Sequence, residues 1–194
     1  MRTWMQARNA IQVMMREHQQ LTTVISGMNH FIHLREAGMA TPGLMVFRAM
    51  LYYIREYPEK VHHPKEDRYL FARLRERTHD LDEVIAALVS EHAQGDARLR
   101  NIEDALVRYE LEGPPAIAAL RVMVDEYASF YQHHRSVEEE VILPAAMKYL
   151  TASDWSELDE VFGANRDPFD GEKLEDDFDR LFDMFVATLP EANR

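Results

Sequence analysis

An all-α fold, an up-and-down antiparallel four-helix bundle with additional C-terminal helices, is predicted by three observations. Apolar residues recur at helical spacing through four long segments. The breaks between those segments are short, which makes successive helices antiparallel neighbours. The second half also repeats the first: His18 and His92 lie 74 residues apart, and His62 to His134 and Glu66 to Glu138 each span 72. At 194 residues the chain is about one domain long. The expected organisation is a bundle over residues 1–150 and a helical extension over 151–194, packed on the bundle or on a second subunit.

The first helix, Ala7 to Glu36, carries Ile11, Met14, Met15, Leu21, Ile25, Met28 and Ile32 as a one-sided apolar face. His18 falls on that face and should point inward. Taken alone, such a histidine is more often a hydrogen-bonded core residue than a ligand. His30 and His33 sit near the helix end, where positive charge suits the dipole, and read as caps or surface. After a loop from Gly38 to Gly43, Pro42 suits the first turn of the second helix, because the N–H it lacks would be unpaired there. Leu44, Phe47, Met50, Leu51 and Ile54 form the buried face that follows. Pro58 and Pro64 must disturb this helix, since each removes a backbone donor and crowds the preceding turn. Either Pro64 breaks it into a solvated HHPKED turn, or it kinks the helix and re-aims His62 and Glu66. Leu70, Phe71 and Leu74 resume helical spacing beyond it.

Asp80 or Asp82 can cap a third helix with Val84, Leu88, His92, Leu99, Ile102 and Leu106 on one face. Gly95 costs that helix about 1 kcal/mol relative to alanine. It lets helices approach or leaves room for a ligand, and the first reading is preferred. Gly113-Pro114-Pro115 ends this helix and opens the fourth. There Ile117, Leu120, Val124, Tyr127, Tyr131, His134, Glu138, Val141 and Ala145 run down one side. Tyr127 and Tyr131 either wall a site around His134 or pack in the core. Ser153 or Asp154 begins a short helix with Trp155, Leu158, Val161 and Phe162, followed by a loop from Gly163 to Gly171. Leu174, Phe178, Leu181, Phe182, Phe185 and Leu189 mark a last amphipathic helix, whose apolar stripe must be covered by this chain or by a second copy in a homodimer.

The net charge of −12 argues against a nucleic-acid surface and against adhesion to anionic lipid, leaving small molecules or proteins as partners. The absence of cysteine excludes disulfides, zinc-thiolate sites, iron–sulfur clusters and thiol catalysis as intrinsic features. Histidine and carboxylate are the strong metal ligands that remain. The first twenty residues are broken by Arg2, Gln6, Arg8 and Asn9 and hold no continuous apolar run, so the expected location is the cytoplasm.

The histidines and acids can be placed by counting. His62 and Glu66 are four apart, as are His134 and Glu138, which puts each pair on one helix face, one turn apart. His18 and His62 each stand 22 residues from a loop centre near residue 40, and His92 and His134 each stand 21 from one near 113. The middle pair agrees less well: Glu66 and His92 each stand 13 from a centre near 79, with His62 one turn farther away, as a ligand pair spanning two metal levels would show. Equal arms bring residues of antiparallel helices to one height. His18, His62, Glu66, His92, His134 and Glu138 are therefore expected at one level inside the bundle. A rival register built on His63 with Asp67 and on His133 loses its second carboxylate, because Val137 stands four residues after His133. Glu139 and Glu140 rotate off the Glu138 face by about 100° and 200°. A mostly nitrogen donor set suits iron, zinc, manganese or copper better than calcium or magnesium.

At these residues, over roughly residues 10 to 150, the sequence resembles the hemerythrin-like (HHE cation-binding) family. The motifs that carry the resemblance are His18, HHPKEDRYLF from His62, Glu91-His92, and HRSVEEEVILP from His134. The resemblance implies that His18, His62, Glu66, His92, His134 and Glu138 hold two non-haem iron ions with bridging glutamates, manganese or zinc being substitutes. Oxygen-carrying members use a further third-helix histidine one turn from its neighbour. Here the positions four from His92 are Leu88 and Asp96, so the chain resembles the four-histidine, two-glutamate type, which includes repair proteins of iron centres and sensors of iron or oxygen. The expected function is to bind or react with oxygen, nitric oxide or peroxide at an exchangeable position, in sensing, stress response or iron handling. The alternatives are a metal-dependent oxidoreductase reducing nitric oxide or peroxide, and a metal-free helical interaction module.

Overall fold

The computed structural model describes residues 3–163. Four long helical rods pack side by side, and among the described residues there is no strand. The first rod is α1 (Thr3–Glu36). The second joins α2 (Leu44–Ile54), a π segment (Arg55–His62), the single turn α3 (His63–Lys65), a further π segment (Glu66–Phe71) and α4 (Ala72–Arg77). The third is α5 (Asp82–Glu112). The fourth joins a 3-10 turn (Pro114–Ala116), α6 (Ile117–Val137), a π segment (Glu138–Ile142) and α7 (Leu143–Tyr149). A shorter helix, α8 (Ala152–Gly163), lies along α1, where the Ala10 N–H donates to Asp159 Oδ1 at 2.9 Å.

The second rod does not break at its prolines. Pro58 lies inside a π segment and Pro64 in the α3 turn between two of them, so the wider turns absorb the missing donors and the rod stays continuous. The solvated HHPKED turn is thereby ruled out. A π segment also takes more residues per turn than an α-helix, so it rotates whatever follows. For that reason Val141 is 40 % exposed, while Ile142, Leu143 and Ala146 are buried in place of the expected Val141 and Ala145. The π segments Glu66–Phe71 and Glu138–Ile142 both begin at the carboxylate singled out by the sequence, and they preserve the internal repeat.

Several boundaries differ from expectation. The extended Gly43 separates Pro42 from the second rod, which begins at Leu44. Leu81, without a side-chain cap, precedes α5, and Asp82 and Glu83 instead place negative charge in its first turn. α8 starts at Ala152. Thr151 and Asp154 form a reciprocal capping box, with the Asp154 N–H donating to Thr151 Oγ1 and the Thr151 N–H to Asp154 Oδ2. The Arg77 guanidinium donates to both Asp154 oxygens at 2.7 and 2.8 Å, pinning α8 to the end of the second rod. Met15, expected in the core, is 40 % exposed; its neighbour Glu17 is buried. The last expected helix, from Leu174 to Leu189, lies outside the described residues.

The core has two apolar parts. One gathers Leu21, Ile25, Met28, Phe47, Met50, Ile54, Leu99, Ile102, Leu120 and Val124 near the 37–43 and 113 turns. The other gathers Ala10, Met14, Leu70, Phe71, Leu74, Ile85, Leu88, Ile142 and Ala146 with Trp155, Leu158 and Phe162 of α8. Every rod crosses between them at a histidine: His18 between Met14 and Leu21, His62 between Tyr57 and Leu70, His92 between Leu88 and Leu99, and His134 between Tyr131 and Ile142.

Candidate metal centre

The structure brings all six of the expected side chains into that intervening layer. His18, His62, Glu66, His134 and Glu138 are each at most 2 % exposed, and the His92 side chain is 5 % exposed. The Nε2 atoms pair up: His18 lies 3.1 Å from His62, and His92 lies 3.0 Å from His134. Glu66 turns Oε1 towards His62 (3.3 Å) and His18 (3.7 Å), and Oε2 towards His92 (3.8 Å). Glu138 turns Oε2 towards His18 (3.3 Å), and Oε1 towards His134 (3.2 Å) and His92 (3.7 Å). Two histidine pairs thus face each other across two carboxylates that both pairs share. Glu66 Oε2 and Glu138 Oε1 are buried without a hydrogen-bond partner. Buried carboxylate oxygens left unpaired amid four imidazole nitrogens are what cations would satisfy, and the donor set fits first-row metal ions.

The opposite nitrogen of every histidine is also engaged. His62 Nδ1–H donates to Glu17 (2.6 Å), His92 to Asp67 (2.8 Å), His134 to Glu91 (2.8 Å) and His18 to Glu139 (3.0 Å). Each of these four acids precedes or follows one of the six residues in sequence, yet braces a histidine on the next rod. The circuit runs from the first rod to the second, third and fourth, and back to the first. Such carboxylate partners fix the tautomer and aim of a metal-binding imidazole. Tyr57 O–H donates to Glu17 in turn, and Tyr131 O–H reaches the His18 carbonyl at 3.5 Å. Tyr131 and Tyr127 are both buried in the first apolar part, so they wall the layer and pack the core together.

Burial alone would lower the imidazoles, but the facing acids outweigh it. His62 is raised to about 9 by Glu66 and Glu17, and His92 to about 10 by Asp67, Glu138 and Glu66. His18 and His134 are raised as well, by Glu138 with Glu139 and Glu66 in one case and with Glu91 in the other. Burial and mutual repulsion would raise the Glu66 carboxyl, and the surrounding imidazoles hold it well below the usual range. Burial likewise opposes ionisation of Glu138, and His134, His18 and His92 hold it low.

The rival register fails on the fourth rod, where His133 is exposed, but half of it is present on the second. His63 is buried beside His62, and Asp67 serves as a brace. Gly95 makes room for neither a closer helix nor a vacant pocket. A β-carbon there would collide with the Glu59 carboxyl, which lies over it. Leu88 is buried one turn before His92, whereas Asp96 points outward and accepts from Arg100 at 2.6 Å. Glu17, Asp67, Glu91 and Glu139 were not expected as contributors, although the repeated Glu-His pairs and the acids after Glu66 and Glu138 are their signal. His30 is partly buried, and His33 is half exposed and pairs with Asp125 at 3.0 Å.

The brace circuit predicts that single deletions fall into two pairs. Glu17→Ala and Glu139→Ala each free a histidine of the His18/His62 pair, and Asp67→Ala and Glu91→Ala free one of the His92/His134 pair. Each should weaken metal affinity roughly 10- to 100-fold. Titrating each variant with ferrous iron should show one step displaced and the other unchanged. Equal weakening of both steps in all four variants would contradict the pairing.

Comparison with known proteins agrees with this geometry. The model of the hemerythrin HHE cation binding domain matches residues 9–146, which contain all six residues and all four braces. The chain has no match among curated proteins or among solved structures. A match over well more than half of the chain places it in a family of metal-ion-binding domains: the protein belongs to the hemerythrin HHE cation-binding family.

Proposed function

We propose that this chain is a non-haem di-iron protein that binds or reacts with oxygen, nitric oxide or peroxide, in sensing, stress response or iron handling. The observation that carries the reading is the sharing of two buried carboxylates between two facing histidine pairs. His18 and His62 would hold one ion, His92 and His134 the other, with Glu66 and Glu138 spanning both. Iron bound there supplies redox chemistry and a Lewis-acidic position for a small ligand. The chain's own part is to aim the imidazoles through their braces and to keep the layer dry between two apolar parts. A cytoplasmic setting, and a homodimer through residues 174–189, belong to the same proposal; among the described residues no helix is long and apolar enough to cross a membrane.

Six protein side chains, with both glutamates spanning the ions, supply eight of the twelve positions of two octahedral ions, so exchangeable positions remain. The test is metal analysis combined with absorption spectra in air, after reduction and after nitric oxide. Two irons per chain are expected, with a spectrum that responds to nitric oxide. The reduced protein should consume oxygen without returning it intact. Leu88→His, which adds an imidazole one turn before His92, should slow that reaction; Asp96→His, on the outward face, should not. Clean oxygen release over repeated cycles would refute the reading.

A further inference from the structure

We propose that His63 donates a hydrogen bond to a small exogenous anion or diatomic held on the His92/His134 side of the centre, with the Glu59 carboxyl behind it in the space over Gly95. The inference rests on the di-iron reading. His63 is 7 % exposed, and its Nδ1 is buried without a hydrogen-bond partner, Glu59 Oε2 being 3.5 Å away. An enclosed histidine in that condition is costly to keep unless something polar meets it. One of its nitrogens lies within 4.8 Å of ligand atoms of both His92 and His134.

The ring orientations decide between a further metal ligand and a neighbour of one. His63 is stacked on His92, with centroids 4.2 Å apart and planes 10° from parallel. An imidazole lone pair lies in its ring plane, so two stacked rings direct their lone pairs along separate, nearly parallel lines. His63 therefore does not share an ion with His92 in this arrangement. It stands over the face of that imidazole, where it would neighbour an ion held by His92 and His134.

The internal repeat shows why only one side of the centre is built this way. Shifted by 72 residues, the counterpart of His63 is Arg135, and that of Glu59 is Tyr131; shifted by 74, the counterpart of Gly95 is Leu21. Arg135 is turned away, donating to Thr22 Oγ1 at 2.7 Å. Leu21 and the Tyr131 ring are buried bulk where Gly95 and Glu59 stand on the other side, the Tyr131 O–H reaching the His18 carbonyl. The two-fold pattern holds for all six central residues and all four braces, and it is broken at these three positions. The break puts the unpartnered His63 Nδ1 on the His92/His134 side, whereas on the other side the buried nitrogen without a hydrogen-bond partner is Arg135 Nε, a guanidinium nitrogen 3.6 Å from the Glu139 brace.

Azide is the probe, applied to the iron-loaded full chain with metal content measured first. His63→Leu should keep two irons per chain, bind azide roughly tenfold more weakly, and lose the deuterium-sensitive shift of the azide stretch that a hydrogen bond produces. His63→Gln, which retains a donor, should recover part of both effects. Arg135→Gln should match the unmodified chain. Gly95→Ala, which displaces the Glu59 carboxyl, should weaken azide with iron content unchanged. Loss of one iron from His63→Leu would make His63 a ligand and overturn the inference. Unchanged azide affinity and isotope shift in that variant would overturn it too, as would two irons with no azide response in the unmodified chain. An unmodified chain that takes up no iron would refute the di-iron reading itself, and the inference with it.

Discussion

Loading with iron is expected to reverse the sign of the chain's stability change with pH. Without a cation, His62 and His92 titrate near 9 and 10, above the ordinary value of 6.5. Their contribution is present in full below about pH 6.5 and is lost as pH rises through 9 and 10. Glu66 and Glu138 are held below the ordinary 4.5, so their contribution is present above that value and lost as pH falls below it. The iron-free protein should therefore be most stable near pH 5 to 6.5 and melt at progressively lower temperature up to pH 10. Cation binding requires the imidazoles deprotonated, so the loaded protein should gain stability from pH 6 to 8. At free metal about a thousandfold above the dissociation constant the gain is about 4 kcal/mol. For a chain of this size that is a rise in Tm on the order of 10 °C. Scanning calorimetry of both forms from pH 5 to 10 checks this. Parallel curves would mean that the polar layer is not where the metal binds.

The second large effect is expected from the carboxylates of the fourth rod, and it is graded. Glu138 faces both histidine pairs, so Glu138→Ala should abolish uptake of both irons, as should Glu66→Ala on the second rod. Glu139 donates nothing to the centre directly but accepts from His18, so Glu139→Ala should weaken one ion and spare the other. Glu140 is exposed, and Glu140→Ala should change nothing. Iron per chain after equilibration at limiting metal separates the outcomes, with circular dichroism confirming that each variant is folded. Equal losses in all three would mean that the run acts only through its overall charge.

The contrast between Glu139 and Glu140 shows what the sequence made legible. Helical spacing alone puts both off the inward face, and that is correct for their exposure relative to Glu138. It says nothing of Glu139 reaching sideways to another rod, because that contact depends on how two helices cross. The rods, the connections and the shared level of the six residues follow from periodicity and equal arm lengths, which are one-dimensional quantities. The π segments are not visible that way, since a π turn depends on which backbone partners the packed helix finds. Val141 and Ala145 were misplaced for this reason, and the burial of His63 beside His62 was missed because a strict α-helical period would turn one of them away. Gly95 carried a signal of the right kind, a residue too small for its place, without naming the Glu59 carboxyl that fills the space.

The polar layer divides what would otherwise be one continuous apolar interior, and this bears on cooperativity. Two hydrophobic lobes joined through charged side chains have little apolar contact to make them open together, and regions so separated exchange amide protons as separate units. The lobe near the 37–43 and 113 turns and the lobe covered by α8 should exchange at different rates while no cation spans the rods. Two bound ions that together tie all four rods at mid-height would oblige either lobe to break the same bonds before opening. Metal status would then be written into the dynamics of the whole chain, so that a protease or a partner at either end of the bundle could read it without contacting the centre.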